Sequence, residues 1–390
     1  MVFVGIMIII SASSLSLPSP FRAVKVLGWI VIGLGVVLIG IGIGNIMLTL
    51  INLFLPARAR DLVNILYQKR YLEKGPKIVT VGGGTGLSVI LHGLKEYSNN
   101  ITAIVTVADD GGSSGRIREH FDILPPGDIR NCLVALADAE PLMRDLFQFR
   151  FDKDSALEGH SFGNLFITAM TKLTGDFEVA IRESSKILAI RGRVIPSTLE
   201  NVKLIAEFQD GSKIEGEANI PKKNAPIKSV ALKPAGSQPT KDAIQAIEEA
   251  DVIVLGPGSL YTSIIPNLLV KGIADAISAS RVPKVYICNV MTQSGETDGY
   301  TASDHIKALI SHSNKGIVNT CVVNVAKAPK ELLGRYEKEK SYPVIADSER
   351  IRQLGYKVIE EKMISLTDFV RHDASRLSGI IMRLLDKRKA

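Results

Sequence analysis

A β-like run at residues 77–81 (KIVTV) leads straight into Gly82, Gly83, Gly84, Thr85 and Gly86, and the next stretch carries Leu87, Ile90, Leu91 and Leu94 at helical spacing. A second β-like run, residues 101–107, follows and ends in Asp109 and Asp110, with Gly111, Gly112, Ser113, Ser114, Gly115 and Arg116 behind them. Strand, glycine turn, helix and second strand make the opening unit of a parallel sheet, since parallel neighbours need a long crossover. Glycines let backbone approach phosphate oxygens, and the N–H groups that start the helix point at negative charge. Leu87 stands where a dinucleotide fingerprint wants its third glycine, and no P-loop lysine follows the turn. The turn therefore predicts phosphate proximity without naming a nucleotide. An unliganded tight turn is the plain alternative.

Three more short Val/Ile-rich runs, at 252–255, 284–289 and 319–324, alternate with helical or loop sequence. Five such strands predict an α/β fold, a Rossmann-like parallel sheet wrapped by helices. Residues 128–138 and 161–173 read as helices, the second with Leu165, Phe166, Ala169, Met170 and Leu173 on one face. Val202, Leu204, Ala206 and Phe208 alternate with polar residues before a turn at Asp210-Gly211, which predicts a small β-rich insertion over about 189–233. Asp373 is placed to cap a helix carrying Leu377, Ile380, Ile381, Leu384 and Leu385.

Ahead of the α/β region, residues 26–55 hold no charged side chain, and a membrane crossing needs about 20 apolar residues. We read residues 1–56 as a membrane anchor, with the main span at about 26–50 and a shorter apolar run at 2–17 as a candidate first span. Residues 57–76 are a charged linker, and 77–390 are the α/β domain with its insertion. Arg58, Arg60, Lys69 and Arg70 follow the span, against Arg22 and Lys25 before it, which places the α/β domain in the cytoplasm. Gly40 and Gly44 give one GxxxG spacing, so a homodimer or other homo-oligomer is expected. The net charge of +7 suits anionic headgroups better than nucleic acid, because no basic run is interleaved with aromatics. Cys132, Cys288 and Cys321 are odd in number and far apart, which fits neither disulfides nor zinc and suggests a reducing compartment.

Several loops add candidate ligands. Asp109 and Asp110 alternate on extended backbone, so one of them should face the site, to bind ribose or hold Mg²⁺. Asp128 in PPGDIRN is either a helix cap or a second metal or substrate carboxylate, with Arg130 and Asn131 beside it. His160 and Asn164 open an apolar helix and could reach a sugar or a phosphate. Gly256, Pro257, Gly258, Ser259, Leu260, Tyr261, Thr262 and Ser263 follow a strand and form a second phosphate nest, with Tyr261 either a base-stacking or a core aromatic. Residues 291–300 (MTQSGETDGY) make a further polar loop. No Ser-His-Asp order, HExxH or CxxC is present, so hydrolysis by an activated serine and structural zinc are poor readings.

IVTVGGGTGLSVILHGLK, VTVADDGGSSGRIREHFDILPPGDIRNCLVALAD, GHSFGNLF, ADVIVLGPGSLYTSIIPNLLV and NVMTQSGETDGYTASDH together resemble the YvcK/CofD family, and specifically its YvcK branch of gluconeogenesis factors. The resemblance implies a CofD-like fold and a bacterial origin. It also implies a UDP-sugar or other nucleotide diphosphate as ligand, UDP-N-acetylglucosamine above all, and a part in cell shape during gluconeogenic growth. It places nucleotide contacts at Gly82, Gly83, Gly84, Thr85, Gly86, Asp109, Asn164, Gly256, Gly258, Ser259, Tyr261, Thr262, Ser263, Gln293, Glu296 and Thr297. The CofD branch implies an alternative, a metal-dependent transferase of the 2-phospholactate type. Asp110 and Asp128 would then be catalytic and would hold Mg²⁺. The ADDGGSSGR form and the pair Leu260-Tyr261 depart from the deazaflavin transferases and favour the non-catalytic branch.

Overall fold

The hydrophobic runs sort themselves into one sheet. The computed structural model describes residues 22–54, 70–152, 155–327, 329–366 and 370–389. Seven strands, β1 (Ile78–Gly82), β2 (Ile101–Val105), β3 (Arg193–Pro196), β7 (Val252–Leu255), β8 (Lys284–Ile287), β9 (Thr320–Asn324) and β10 (Lys357–Glu361), pair in the order β10-β9-β8-β7-β1-β2-β3. Every pair is parallel, with Ile78 of β1 opposite Ile101 of β2 on one side and Val252 of β7 on the other. β1, β2, β7 and β8 are buried at every residue, which is why they read as unbroken apolar runs rather than alternating ones. The chain runs one way from β1 through β3 and the other way from β7 through β10. The order therefore reverses between β1 and β7, and the crevice beyond their carboxyl ends is where open α/β sheets bind ligands.

Two strands escape the sequence pattern. β3 (RVIP) and β10 (KVIEE) are the sheet edges, and edge strands tolerate charge and proline because only one side is paired. Taking β3 into the main sheet also moves the start of the insertion. Its own three-stranded antiparallel sheet, β5-β4-β6, comprises β4 (Lys203–Phe208), β5 (Lys213–Glu215) and β6 (Ile227–Lys233). The alternation there is real: Leu204, Ala206 and Phe208 are buried while Lys203 faces solvent. A two-stranded hairpin, β11 (Ile364–Leu366) with β12 (Val370–His372), lies outside both sheets.

The helix Gly84–Leu94 buries Leu87, Ile90, Leu91 and Leu94 completely, each contributing about 1.5–3 kcal/mol relative to exposure. Its outer side is clasped by the helix Ala374–Lys389, whose Ala374 and Ser378 occupy the space a side chain at Gly93 would need. That helix is capped as its sequence predicts, with the Arg376 N–H donating to Asp373 Oδ1 at 3.0 Å, and Leu377, Ile380, Ile381 and Leu385 are buried. The helix Phe162–Thr174 departs from expectation. Its buried face is Asn164, Ile167, Thr168 and Thr171, and Leu173 of the predicted apolar face is 81% exposed. The polar face turns inward because it joins the network behind the candidate site described below.

The structure divides into two units, residues 1–70 and 71–390. In the first, one helix, Arg22–Phe54, contains a 21-residue segment, Trp29–Thr49, with mean hydropathy 2.4, long and apolar enough to cross a membrane. Residues 2–17, the candidate first span, and most of the linker lie outside the described residues.

Candidate functional site

The glycine turn lies at the reversal point. Gly83 precedes the helix Gly84–Leu94 with extended backbone and has no side chain of its own to cap it, and the Gly84 N–H donates instead to a carboxylate described below. Gly84 has φ +64°, a conformation that favours glycine. A Cβ on Gly86 would sit 2.7 Å from the Pro257 carbonyl oxygen and 2.8 Å from Gly258 Cα. Only glycine lets the first nest press against the second, which leaves β7 through Gly256 and Gly258, both at positive φ. The Asn267 amide staples the two together, donating to the Gly82 carbonyl at 3.0 Å and the Ser263 carbonyl at 2.8 Å.

In front of both nests opens a cavity of about 640 Å³. Gly83, Gly84, Thr85, Gly86, Gly258, Ser259, Ser263, Gln293, Glu296 and Asp128 all line it, so four sequence-distant segments supply its walls. The loop after β8 is locked to the second nest, with Gln293 Nε2 donating to Ser259 Oγ at 2.6 Å, and its own turn closed by the Gln293 N–H donating to Thr297 Oγ1 at 2.9 Å.

Other expected contacts lie behind these walls, not in them. Gly82 and Gly256 set the course of the two nests, and Thr297 is fully buried as a brace. Thr262 Oγ1 donates to Glu296 at 3.3 Å. Tyr261 is a core aromatic, 2% exposed, with its hydroxyl 2.7 Å from that of Tyr300 and its ring edge-on to Tyr300 and His312. The π-type turn Leu260–Ile264 directs it inward. Asn164 donates to Ser113 Oγ at 3.1 Å, and His160 Nδ1 is 3.1 Å from the same oxygen. Arg130 reaches Ser161 and Asn131. These groups form a polar layer under the acids, without facing the cavity.

Asp109 and Asp110 do alternate, yet neither lines the cavity. Asp109 turns into its own loop, accepting from the Gly111 N–H at 2.9 Å, and burial raises its carboxyl above the usual range. Asp110 Oδ1 accepts from the Ala218 N–H of the insertion at 2.9 Å. Asp128 is the acid that reaches the glycine turn: it accepts from the Gly84 backbone, and its carboxyl group fills the place of a side chain at Gly83. Burial first, and the neighbouring Asp109 second, push it up to about 7. Burial likewise pushes Glu296 up to about 7.

Sequence reasoning missed part of the lining. Glu217 comes from the insertion, Asn289 follows β8, and Tyr336, Glu339, Ser341 and His372 come from C-terminal segments, while Met291 and Thr292 belong to the polar loop 291–300 read from the sequence. Both His372 ring nitrogens lack a hydrogen-bond partner among the described residues, and burial lowers that imidazole to about 4.

The Mg²⁺ expected from the sequence can be tested against these donors. Among the described residues no three His, Cys, Asp or Glu converge as a metal cage, and Asp110 is engaged elsewhere. Asp128 is a hard oxygen donor on the cavity. One or two carboxylates with phosphate oxygens and waters are the set Mg²⁺ accepts. Asp128 would hold it, and the ion would offset phosphate charge.

Comparison with known proteins agrees with this architecture. Residues 78–364 match the family described as 2-phospho-L-lactate transferase CofD. Relatives called gluconeogenesis factor from Halalkalibacterium halodurans and Bacillus subtilis are each 51% identical, over 310 and 311 residues. These matches cover 79% and 80% of this chain and 96% and 98% of the relatives. A crystal structure of a UPF0052 family protein from Bacillus halodurans superposes with a TM-score of 0.77 at 50% identity, over 79% of this chain and 99% of that one.

Proposed function

Because this chain belongs to the CofD family, among relatives named gluconeogenesis factors, we propose that it binds a nucleotide sugar of the UDP-N-acetylglucosamine kind and acts as a sensor. On this reading it links carbon supply to cell shape under gluconeogenic growth, tethered by the helix Arg22–Phe54 with its α/β domain in the bacterial cytoplasm. The carrying observation is the contact of two glycine nests across the β1–β7 reversal. Two backbone cradles side by side suit two linked phosphates better than one.

A second reading, metal-dependent transfer from a nucleotide-activated donor, is favoured by the family match and by Asp128. A carboxyl at about 7 is poised for acid–base work. Titrating the detergent-solubilised protein with UDP-N-acetylglucosamine and GDP, with and without Mg²⁺ and with product analysis, separates the two. Saturable UDP-sugar binding without turnover is expected. Steady release of UMP or GMP that is lost in Asp128→Asn would replace the sensor with the transferase.

The acids also set a pH dependence. Below about 7, Asp128 and Glu296 are protonated and neutral; above it they are anionic and face an anionic ligand. Metal-free affinity for the nucleotide sugar should therefore fall about tenfold from pH 6 to pH 8, and Mg²⁺ should flatten the slope. Calorimetry at the two pH values checks this. A metal-free affinity that rises with pH would contradict the arrangement.

A further inference from the structure

The three-stranded insertion looks, by sequence, like decoration. Its turn after β5 does something specific. Glu217 lines the cavity beside Asp128, and its Oε2 touches neither solvent nor any hydrogen-bond partner among the described residues. The turn that carries it is held from the main domain. Asp110 Oδ1 accepts from the Ala218 N–H at 2.9 Å, and Asp110 Oδ2 lies 2.5 Å from where a Cβ on Gly216 would stand. Gly216 has φ +105°, so glycine is needed there on both counts. Further along, Ile220 is fully buried, and the Pro221 carbonyl packs where a side chain on Gly295 would lie, against the loop that bears Glu296. The insertion is thus fastened on both sides of the cavity, and Glu217 sits between the fastenings.

We propose that Glu217 is the residue that reads hydroxyl groups on the ligand, and that Asp110 is its positioning residue, acting through the Ala218 N–H and not on the ligand. This deepens the nucleotide-sugar reading and rests on it. A buried acceptor without a partner is costly, and a bound hydroxyl donating to it removes the cost. A phosphate oxygen cannot donate, so the contact belongs to the ribose or the sugar. Burial, with Asp109, Asp128, Glu296 and Asp110 nearby, holds the Glu217 carboxyl well above its usual range.

The test uses the full chain in detergent with Mg²⁺ and three probes: UDP-N-acetylglucosamine, UDP and inorganic pyrophosphate. Glu217→Ala should weaken UDP-N-acetylglucosamine by about tenfold or more and leave pyrophosphate unchanged. An equal loss for UDP assigns the ribose; loss for the UDP-sugar alone assigns the sugar. Asp110→Ala should copy the Glu217→Ala pattern, Asp110→Asn should restore most of the affinity because its amide oxygen can still accept from Ala218, and the double variant should lose no more than Glu217→Ala. Should Asp110→Ala fail to fold, Asp110→Glu takes its place, since it keeps the charge but displaces the acceptor. An equal loss for pyrophosphate, additive losses, or Asp110→Asn as damaging as Asp110→Ala would overturn the assignment. Unchanged binding in Glu217→Ala would overturn this inference alone. A wild-type protein that binds neither nucleotide would remove the nucleotide-sugar reading and this inference together.

Discussion

Replacing Gly86 with alanine should weaken nucleotide-sugar binding by about 100-fold, equivalent to about 2.8 kcal/mol. The added methyl meets three backbone atoms, the Pro257 carbonyl oxygen at 2.7 Å, Gly258 Cα at 2.8 Å and Gly258 N at 2.9 Å. None is the end of a flexible side chain, so the two nests must separate. Gly86 is inside a helix, so the cost comes from contact and not from backbone strain. Gly82→Ala is the contrast within the same turn: the nearest atoms to its Cβ would be those of the Leu87 side chain, at 3.5 Å or more. It should bind within about threefold of wild type, since ordinary contacts displace nothing. Calorimetric titration of both variants decides the matter. Gly86→Ala binding like Gly82→Ala would show that the paired nests are not where the phosphates sit.

Asp128→Asn should stabilise the protein at pH 8, on the order of 2–3 kcal/mol, while removing about half of the pH dependence of metal-free binding, the rest belonging to Glu296. In the folded chain this carboxyl titrates at about 7, against about 3.9 for an unperturbed aspartate. Between those values the native state holds a proton that the unfolded chain has released. Stability that is complete below about pH 4 is therefore lost as pH rises through 7. The amide has the same shape, keeps an acceptor for the Gly84 N–H, and carries no charge to desolvate. Thermal unfolding at pH 5 and pH 8 should show a clearly larger gain in the variant at the higher pH. A destabilised variant at pH 8 would mean that Asp128 is paired with a cation in the resting protein.

The sheet was legible because its central strands are buried on both faces and so read as continuous Val/Ile runs. β3 and β10 were not, since an edge strand can carry Arg193 or Glu360 without penalty. The two nests were legible for a similar reason: glycine at positive φ or in tight contact is a local requirement that leaves a local mark. Orientation of single side chains was not. Tyr261 and Asp110 stand in motifs that suggest ligand contact, yet one packs on Tyr300 and His312 and the other grips Ala218. Glu217 and His372 carry no motif at all. They reach the cavity through an insertion and a C-terminal hairpin, whose placement depends on contacts far away in the chain.

The clasp on the helix Gly84–Leu94 has a consequence for biosynthesis. Ala374 and Ser378 close over Gly93, and about 290 residues separate them from the glycine turn. A nascent chain completes its apolar N-terminal helix, Arg22–Phe54, long before the helix Gly84–Leu94 gains its cover. During that interval Leu91 and Leu94 have only part of their final packing, and the cradle is correspondingly loose. On the proposed function, ligand capture is then a late, post-elongation event.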